Sequence, residues 1–355
     1  MAATETTLDA ASGRGWRPSR PTRASIGDWV TDNVILVVLV VLIVGIAIYD
    51  SDFIAVRNLQ NILINSSTRI LVALGAGIVL ISRGVDLSGG RMVGLAAVVS
   101  ASMLQTETYS RQFYPDMPEL ALILPIAIAV AITTFLGCIN GVVVAKLRVP
   151  PFIATLGMMV IAFGMTALYI DQPPNLSQPI SGLRDDFKFL GSGWLALGPV
   201  SVPFIIAVAG TAAVIFWVLL EKTVFGKNVY AIGGNPQAAQ VSGVNVARTL
   251  IGVYAIAGAC YGVAGVLEAA RTGGAAGGYG ELYELDAIAA CVVGGVSTAG
   301  GIGRVRGIVA GVLVFAVISY GFTFIGINPF WQQIIKGAII IGAVAFDVSR
   351  SRRTR

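Results

Sequence analysis

Residues 120–145 read LALILPIAIAVAITTFLGCINGVVVA, a run of 26 residues without one charged side chain. About 20 consecutive apolar residues are enough to cross the hydrocarbon core of a bilayer as a helix. Because an open strand cannot pair its backbone groups in lipid, such a run predicts a transmembrane helix. Nine further apolar segments make the chain an all-α polytopic bundle of about ten spans. They lie roughly at 34–49, 70–82, 92–104, 151–170, 200–220, 250–270, 287–297, 307–325 and 332–347.

Three of these segments are short and lie beside glycine-rich stretches. They are 70–82, 92–104 and 287–297. The pattern also fits broken or partial helices, which are frequent in transporters.

The overall composition excludes several classes of protein. Of 355 residues, 55% are hydrophobic and only 12% are charged, and the mean hydropathy is +0.81. Because soluble chains carry about 25% charged residues, a soluble enzyme, a disordered chain and a nucleic-acid-binding domain are excluded. The absence of histidine excludes His-dependent catalytic and metal sites. The three cysteines are expected as small buried side chains in apolar stretches. They are Cys138, Cys260 and Cys291.

The distribution of lysine and arginine predicts the orientation of the bundle. With the N-terminus inside and ten alternating spans, 17 Lys and Arg residues fall in inside segments and 6 in outside segments. Since Lys and Arg are enriched on the cytoplasmic side, both termini are expected in the cytoplasm. The chain then divides into a polar cytoplasmic tail (1–33), a transmembrane domain (34–347) and a basic cytoplasmic tail (348–355). The first span is expected to remain uncleaved.

Ten spans with both ends inside divide into two halves of five helices with opposite orientations. A faint internal similarity supports this division, since DLSGGRMVGLAAV begins at Asp86 and ELDAIAACVVGG begins at Glu284. Inverted repeats of this kind are typical of transporters.

GxxxG spacings indicate close helix packing. We interpret them as packing within the bundle, and the alternative is a dimerisation motif. They occur at Gly90/Gly94, Gly137/Gly141, Gly258/Gly262 and Gly307/Gly311.

The connection at 221–249, EKTVFGKNVYAIGGNPQAAQVSGVNVART, is the longest predicted on the inside. Residues 233–236 predict a turn, and a short helix over Gln237–Ser242 ends at Gly243. Small apolar side chains on such a short exposed helix favour docking into a groove of a cytoplasmic partner. The alternative is a plain solvated loop. The small apolar side chains are Ala238, Ala239 and Val241.

Ionisable side chains near membrane depth are candidates for function. Glu268 and Arg271 are three residues apart on one predicted helix and can form an ion pair. Lys336 lies near the start of the last segment, where it can snorkel to the surface. Asp86 and Asp286 are each placed either to cap a helix or to line a pore. The gating or pore candidates are Asp86, Ser88, Glu268, Glu284, Asp286 and Lys336.

The string LSGGR (87–91) is similar to the signature of ATP-binding-cassette ATPases. That signature works only beside a phosphate-binding GxxxxGK[ST] loop, and the chain contains none. We therefore interpret the match as a coincidence and expect no ATP hydrolysis by this chain.

Five strings, one of which contains LSGGR, resemble the permease subunits of bacterial ATP-binding-cassette (ABC) sugar importers of the ribose/galactose type. They are RNLQNIL (57–63), RGVDLSGGR (83–91), INGVVVAKLRVPPFIATLGMM (139–159), FGKNVYAIGGNPQAAQVSGVNV (225–246) and YELDAIAACVVGGVSTAGGIG (283–303). The resemblance covers about 34–349. ISGL (180–183) and GINPFWQQIIKGAIII (326–341) are most similar to the galactose/methyl-galactoside branch. The long N-terminal tail departs from the family pattern.

The resemblance implies a homodimeric permease core in the bacterial cytoplasmic (inner) membrane. It implies a separate cytoplasmic ATPase that uses ATP and Mg²⁺, an extracytoplasmic sugar-binding protein, a monosaccharide substrate and no cofactor in this chain. It also implies that the segment 233–244 docks into the ATPase. The corresponding coupling residues are Gly233, Gly234, Asn235, Pro236, Ala238, Ala239, Ser242 and Gly243.

Two other functions remain as alternatives. An ion-coupled secondary sugar transporter would also contain inverted repeats, but it predicts coupling acids in the middle of spans. An intramembrane enzyme would need a nucleophile, a base or a metal cluster, and no span carries paired acids.

Overall fold

The computed structural model describes residues 34–198 and 200–353, so the predicted polar tail at 1–33 lies outside the described residues. The described residues form thirteen α-helices, one 3-10 helix (Ser51–Ile54) and one two-stranded hairpin. The helices are α1 (Val34–Tyr49), α2 (Val56–Ile81), α3 (Gly89–Ser102), α4 (Ile123–Ala145), α5 (Pro151–Ile170), α6 (Asp185–Ser192), α7 (Phe204–Lys222), α8 (Val224–Gly234), α9 (Pro236–Val241), α10 (Val246–Thr272), α11 (Tyr283–Val293), α12 (Val305–Phe324) and α13 (Pro329–Arg353).

Each of the ten predicted apolar segments falls on a helix, with some shifted ends. Six helices in the described part of the chain are long and apolar enough to span a membrane: α2, α4, α5, α7, α10 and α12. In contrast, α3 and α11 have 14 and 11 residues, or about 21 and 17 Å of helix. They are too short to cross a hydrocarbon core of about 30 Å. This confirms the partial-helix interpretation of the segments at 92–104 and 287–297.

Helix α2 corrects the prediction of a short or broken segment at 70–82, because it runs unbroken for 26 residues from Val56. Its first half carries polar side chains, and two of them form hydrogen bonds with the backbone of the helix itself. The hydroxyls of Ser66 and Ser67 donate to carbonyls one turn earlier, at 2.5 and 2.8 Å. Arg69 therefore lies within a helix and not in an outer loop.

Helix α10 is the centre of the bundle and packs against α2, α3 and α4. Its Tyr254 and Tyr261 rings are completely buried. The glycines of the GxxxG pairs lie where a neighbouring element approaches within the same chain, which confirms their interpretation as internal packing. The neighbours are Tyr254 and Ile251 for Gly137 and Gly141, Thr133 and Val130 for Gly258 and Gly262, Gly294 and Ala290 for Gly307 and Gly311, and Gly280 and Tyr279 for Gly90 and Gly94.

Helices α5 and α7 expose large apolar side chains. Examples are Phe152, Ile153, Val160, Val214 and Ile215. Monomeric soluble proteins seldom expose contiguous apolar faces of this kind, whereas a surface that faces lipid consists of them. The two helices therefore fit the lipid-facing side of a membrane bundle.

The connection between α5 and α7 contains α6 and the antiparallel hairpin of β1 (Trp194–Leu197) and β2 (Val200–Pro203). The predicted segment at 200–220 therefore begins as a strand, and its helix starts only at Phe204, after Pro203. Pro203 stands immediately before the helix. Because proline has no backbone N–H to donate, it is tolerated at the start of a helix, where that donor would have no partner. Backbone bridges join this connection to two others, through Gln105–Leu183 and Ile180–Ala275. These three connections lie at one end of the bundle, and α9 lies at the other. We call the end with the three connections the far end.

The predicted inside connection at 221–249 is mostly helical. Its first helix, α8, was not indicated by the sequence pattern. Thr223 caps α8 by accepting a hydrogen bond from the Gly226 N–H at 3.1 Å. The predicted turn at 233–236 is shorter than expected, because Gly233 and Gly234 end α8 and only Asn235 is extended. The short helix that follows, α9, is confirmed, and Gly243 lies just beyond it with φ +85°.

Candidate coupling segment and charge clusters

Helix α9 is held at its N-terminus by Asn235, whose side-chain Oδ1 accepts from the Ala238 N–H at 3.0 Å. Asn, Asp and Ser are preferred at this position because their oxygen pairs an otherwise unsatisfied backbone donor. Pro236 follows at the first helical position, where its fixed φ fits. A helix of six residues is too short to be stable alone, so the cap and the proline define its start.

Most of the predicted coupling residues are exposed on α9 and at its ends. Gly234, Asn235, Ala238, Ser242 and Gly243 are exposed, Pro236 is half-buried, and Val241 is 90% exposed. Two predicted members differ from this pattern. Ala239 is only 4% exposed and Gly233 is buried, so both face the protein, and the expectation that Ala239 lies on an exposed face is wrong.

Asp86 and Ser88 form a buried polar pair before α3. Asp86 Oδ1 accepts from both the N–H and the hydroxyl of Ser88, at 2.9 and 2.6 Å. The Asn140 side chain of α4 donates to the Ser88 hydroxyl at 3.0 Å. With exposures of 2% and 0%, both side chains fix the 82–88 loop against the bundle in this conformation. Asp86 therefore caps the turn that precedes α3, and its gating role stays a prediction.

Glu284 lies at the start of α11 and is 6% exposed. Its carboxylate lies directly against Gly90, where a Cβ would overlap it. Arg91, the next residue of α3, pairs with Glu281 at 3.3 Å. The two strings of the proposed internal similarity therefore pack against each other at this point.

Glu268 is the centre of a buried hydrogen-bonding cluster near the end of α10. Its carboxylate pairs with Arg271 at 2.6 Å, which confirms the predicted i, i+3 pair. It also accepts from Thr68 Oγ1 at 2.8 Å and from Tyr283 Oη at 3.0 Å. These donors come from α2 and α11, so one carboxylate joins three helices. Arg271 extends the cluster to Asn65, with Nη1 to Oδ1 at 2.8 Å.

Asp286 is the centre of a second group of charges beside this one. Arg69 Nη1 lies 2.7 Å and Lys336 Nζ 3.4 Å from Asp286 Oδ2. The Arg69 guanidinium also lies over the Tyr283 ring, 4.6 Å from its centroid. Lys336 is 13% exposed at its side chain, so the snorkelling interpretation is wrong. It is directed into the bundle because Asp286 supplies an opposite charge there.

Sequence reasoning missed Thr68, Arg69 and Tyr283 as members of these groups. Arg69 carried a signal, since it borders an apolar run that continues to Ile81, and an arginine at membrane depth suggests a buried partner. Thr68 and Tyr283 carried none, because only the packing of α2 and α11 beside α10 brings their hydroxyls to Glu268. We call Thr68, Arg69, Glu268, Arg271, Tyr283, Asp286 and Lys336 the far-end charge cluster.

Comparisons with known proteins agree with this architecture. The family model described as branched-chain amino acid transport system / permease component matches residues 58–344. The galactose/methyl galactoside import permease protein MglC of Salmonella typhimurium (strain LT2) is 48% identical over 327 residues, which cover 92% of this chain and 97% of that protein. The protein of the same name from Escherichia coli (strain K12) is 49% identical with the same coverage.

A second group of relatives is more distant. The ribose import permease protein RbsC of Escherichia coli (strain K12) is 35% identical over 320 residues, which cover 90% of this chain and 94% of that protein. No solved structure matches the chain. With six helices able to span a membrane and matches along nearly its whole length, the chain is a multi-pass membrane protein that belongs to the branched-chain amino acid transport system / permease component family.

Proposed function

We propose that this chain is the permease subunit of an ABC importer that carries galactose- or methyl-galactoside-type monosaccharides into the cell. The similarity of 48–49% along nine tenths of the chain to permeases named for these sugars carries the proposal. The ribose import permeases match less well, at 34–38% identity.

The energy is supplied by a separate cytoplasmic ATPase that binds ATP and Mg²⁺. The chain has no GxxxxGK[ST] loop to hold a nucleotide phosphate. What it offers instead is α9, a capped helix whose outer face is exposed. Short helices that present small side chains fit a groove on a partner. The ATPase docks on this face.

The membrane arrangement has ten apolar segments, of which α3 and α11 are partial helices, with both termini in the cytoplasm of a cell whose inner membrane holds the protein. The excess of Lys and Arg on the α9 side supports this orientation. The far end then lies outside the membrane, where an extracytoplasmic binding protein delivers the sugar. Two inverted halves of five helices, and a second copy that completes a homodimer, complete the arrangement.

The test is uptake of labelled galactose into proteoliposomes that contain the chain, its ATPase and its sugar-binding protein. Uptake that requires ATP and both partners is expected. Competition with glucose, methyl-galactoside and ribose then ranks the substrates. If the chain alone takes up galactose on an ion gradient, it is a secondary transporter, and the proposal is wrong.

A further inference from the structure

The coupling helix is tied to the rest of the bundle by a backbone contact that its sequence does not suggest. Gly233, in the last turn of α8, lies against the end of α2 and against the loop that leads into α12. A Cβ at this position would overlap the Ile81 carbonyl oxygen and the Gly301 N–H. No side chain separates the three backbones, so no side-chain rotation can absorb a displacement between them.

The same three segments are also joined by hydrogen bonds. The Gly301 N–H donates to the Ile81 carbonyl at 2.8 Å. The Tyr230 hydroxyl of α8 donates to the Gly303 carbonyl at 2.8 Å. Gly301 has φ +75°, a conformation that L side chains rarely adopt. We call Tyr230, Gly233, Ile81 and residues 300–303 the Gly233 junction.

Helix α9 is also connected to its neighbours along the chain, to α8 on one side and to α10 on the other. From Val241 the chain passes to α10 through residues 242–245, which are exposed apart from the half-buried Val244, and Gly243 among them has φ +85° and open space around it. On the other side, a single residue, Asn235, joins α9 to α8. Since one residue joins α9 to α8 and four join it to α10, the shorter covalent path for a displacement of α9 runs through α8.

From the junction, α2 leads to the far-end charge cluster. Ile81 is the last residue of α2, and Thr68 lies 13 residues earlier on the same unbroken helix, about 20 Å away. Thr68 donates to Glu268, and its neighbour Arg69 pairs with Asp286. The loop at 300–303 likewise precedes α12 and follows α11, which carries Asp286. One end of the path is the docking helix, and the other is the cluster that joins α2, α10, α11 and α13.

We propose that the Gly233 junction makes α8–α9, the end of α2 and the 300–303 loop move as one body, so that it transmits the motion of the docked ATPase to the far end of the bundle. This rests on the proposed function, because it assigns a driving role to α9. Gly233 is thus a positioning residue whose lack of a side chain keeps the contact tight.

The test compares Gly233→Ala with Gly210→Ala in proteoliposomes that hold the full importer. Gly210 is the matched control, since it is a glycine inside helix α7, outside the coupling segment, and a Cβ there meets nothing within 4 Å. We expect Gly233→Ala to lower sugar uptake per ATP hydrolysed by about tenfold, with the ATPase still bound. Gly210→Ala should behave like the unaltered chain. Tyr230→Phe, which removes one hydrogen bond and adds no bulk, should show a smaller loss of the same kind.

Spin-label distances give a second readout that does not depend on whether Gly233→Ala folds. The first pair of labels, at Val241 and Ile302, reports motion across the junction, and these residues are 90% and 64% exposed. The second pair, at Val241 and the exposed Lys146, reports motion of α9 relative to the connection between α4 and α5. In importers diluted with unlabelled chains, ATP binding should change the second distance and leave the first unchanged. A changed Val241–Ile302 distance, or equal coupling in the two alanine variants, overturns the junction. Absence of ATP-driven uptake by the unaltered chain and by Gly210→Ala instead overturns the proposed function.

Discussion

Glu268 and Arg271 form a buried ion pair, with 2.6 Å between Oε1 and Nη2 and only 5% of the Glu268 side chain exposed. The pair is local in sequence, one helical turn apart, but its remaining hydrogen bonds come from α2 and α11. A carboxylate that is withdrawn from water needs such partners to offset its lost hydration. The pair therefore contributes to the packing of three helices and not only to the surface of one.

Removing the cation of this pair should destabilise the protein. Arg271→Gln leaves the Glu268 carboxylate buried without its charged partner, and breaking a buried pair in this way costs about 3–5 kcal/mol in soluble proteins. A clear drop in melting temperature in detergent is expected. Lys188→Gln is the control, because Lys188 pairs with Asp185, whose side chain is 96% exposed. If the two variants melt alike, the far-end charge cluster does not hold the helices together.

The contact of Arg69 with Asp286 should contribute more to the stability of the protein than the contact of Lys336 with Asp286. The Arg69 distance of 2.7 Å is that of a charge-assisted hydrogen bond, whereas 3.4 Å for Lys336 is longer than such a bond. Arg69 also lies over the Tyr283 ring. We expect Arg69→Met to lower the melting temperature more than Lys336→Met. The reverse order would show that the α13 contact is the stronger one.

The faces of α9 can be distinguished by cross-linking. Cysteines introduced at Ala238 and Gln240, which are exposed, should react across to the docked ATPase, whereas a cysteine at the buried Ala239 should not. Equal cross-linking at all three positions would contradict the orientation of α9. Deletion of 235–242 should abolish ATP-coupled uptake, and normal uptake by that variant would reject α9 as the docking site.

A methyl group at Gly90 should disturb the contact between α3 and the start of α11. A Cβ there overlaps the Glu284 carboxylate and the Gly280 carbonyl oxygen. Overpacking of this kind costs about 1–3 kcal/mol, so Gly90→Ala should lower the melting temperature. Gly157→Ala on α5 is the control, since its Cβ meets nothing within 4 Å and alanine favours a helix by about 1 kcal/mol. An unchanged melting temperature for Gly90→Ala would show that α3 and α11 separate easily.

The apolar helices of this chain could be predicted from the sequence because the length and the charge of each segment are enough to indicate a membrane helix. A run such as 120–145 has one stable form in lipid, whatever surrounds it, so its helix appears where the pattern predicts it. The short helix after Asn235 was readable for a similar reason, since Asn, Pro and Gly act on their own backbone. The first half of α2 was missed because its polar residues look like a loop until their partners are known.

The sequence by itself determined the membrane class, the helical segments and the excess of basic residues on one side, because hydropathy, backbone satisfaction and charge asymmetry depend on the composition of each segment. It also contained the Glu268–Arg271 pair, which a single helix brings together. The tertiary structure alone decided that Lys336 turns inward to Asp286, that Thr68 and Tyr283 share the Glu268 carboxylate, and that Gly233 touches Ile81 and Gly301. These contacts join residues 15 to 200 positions apart on different helices or loops, and only the packing of whole helices fixes which of them meet.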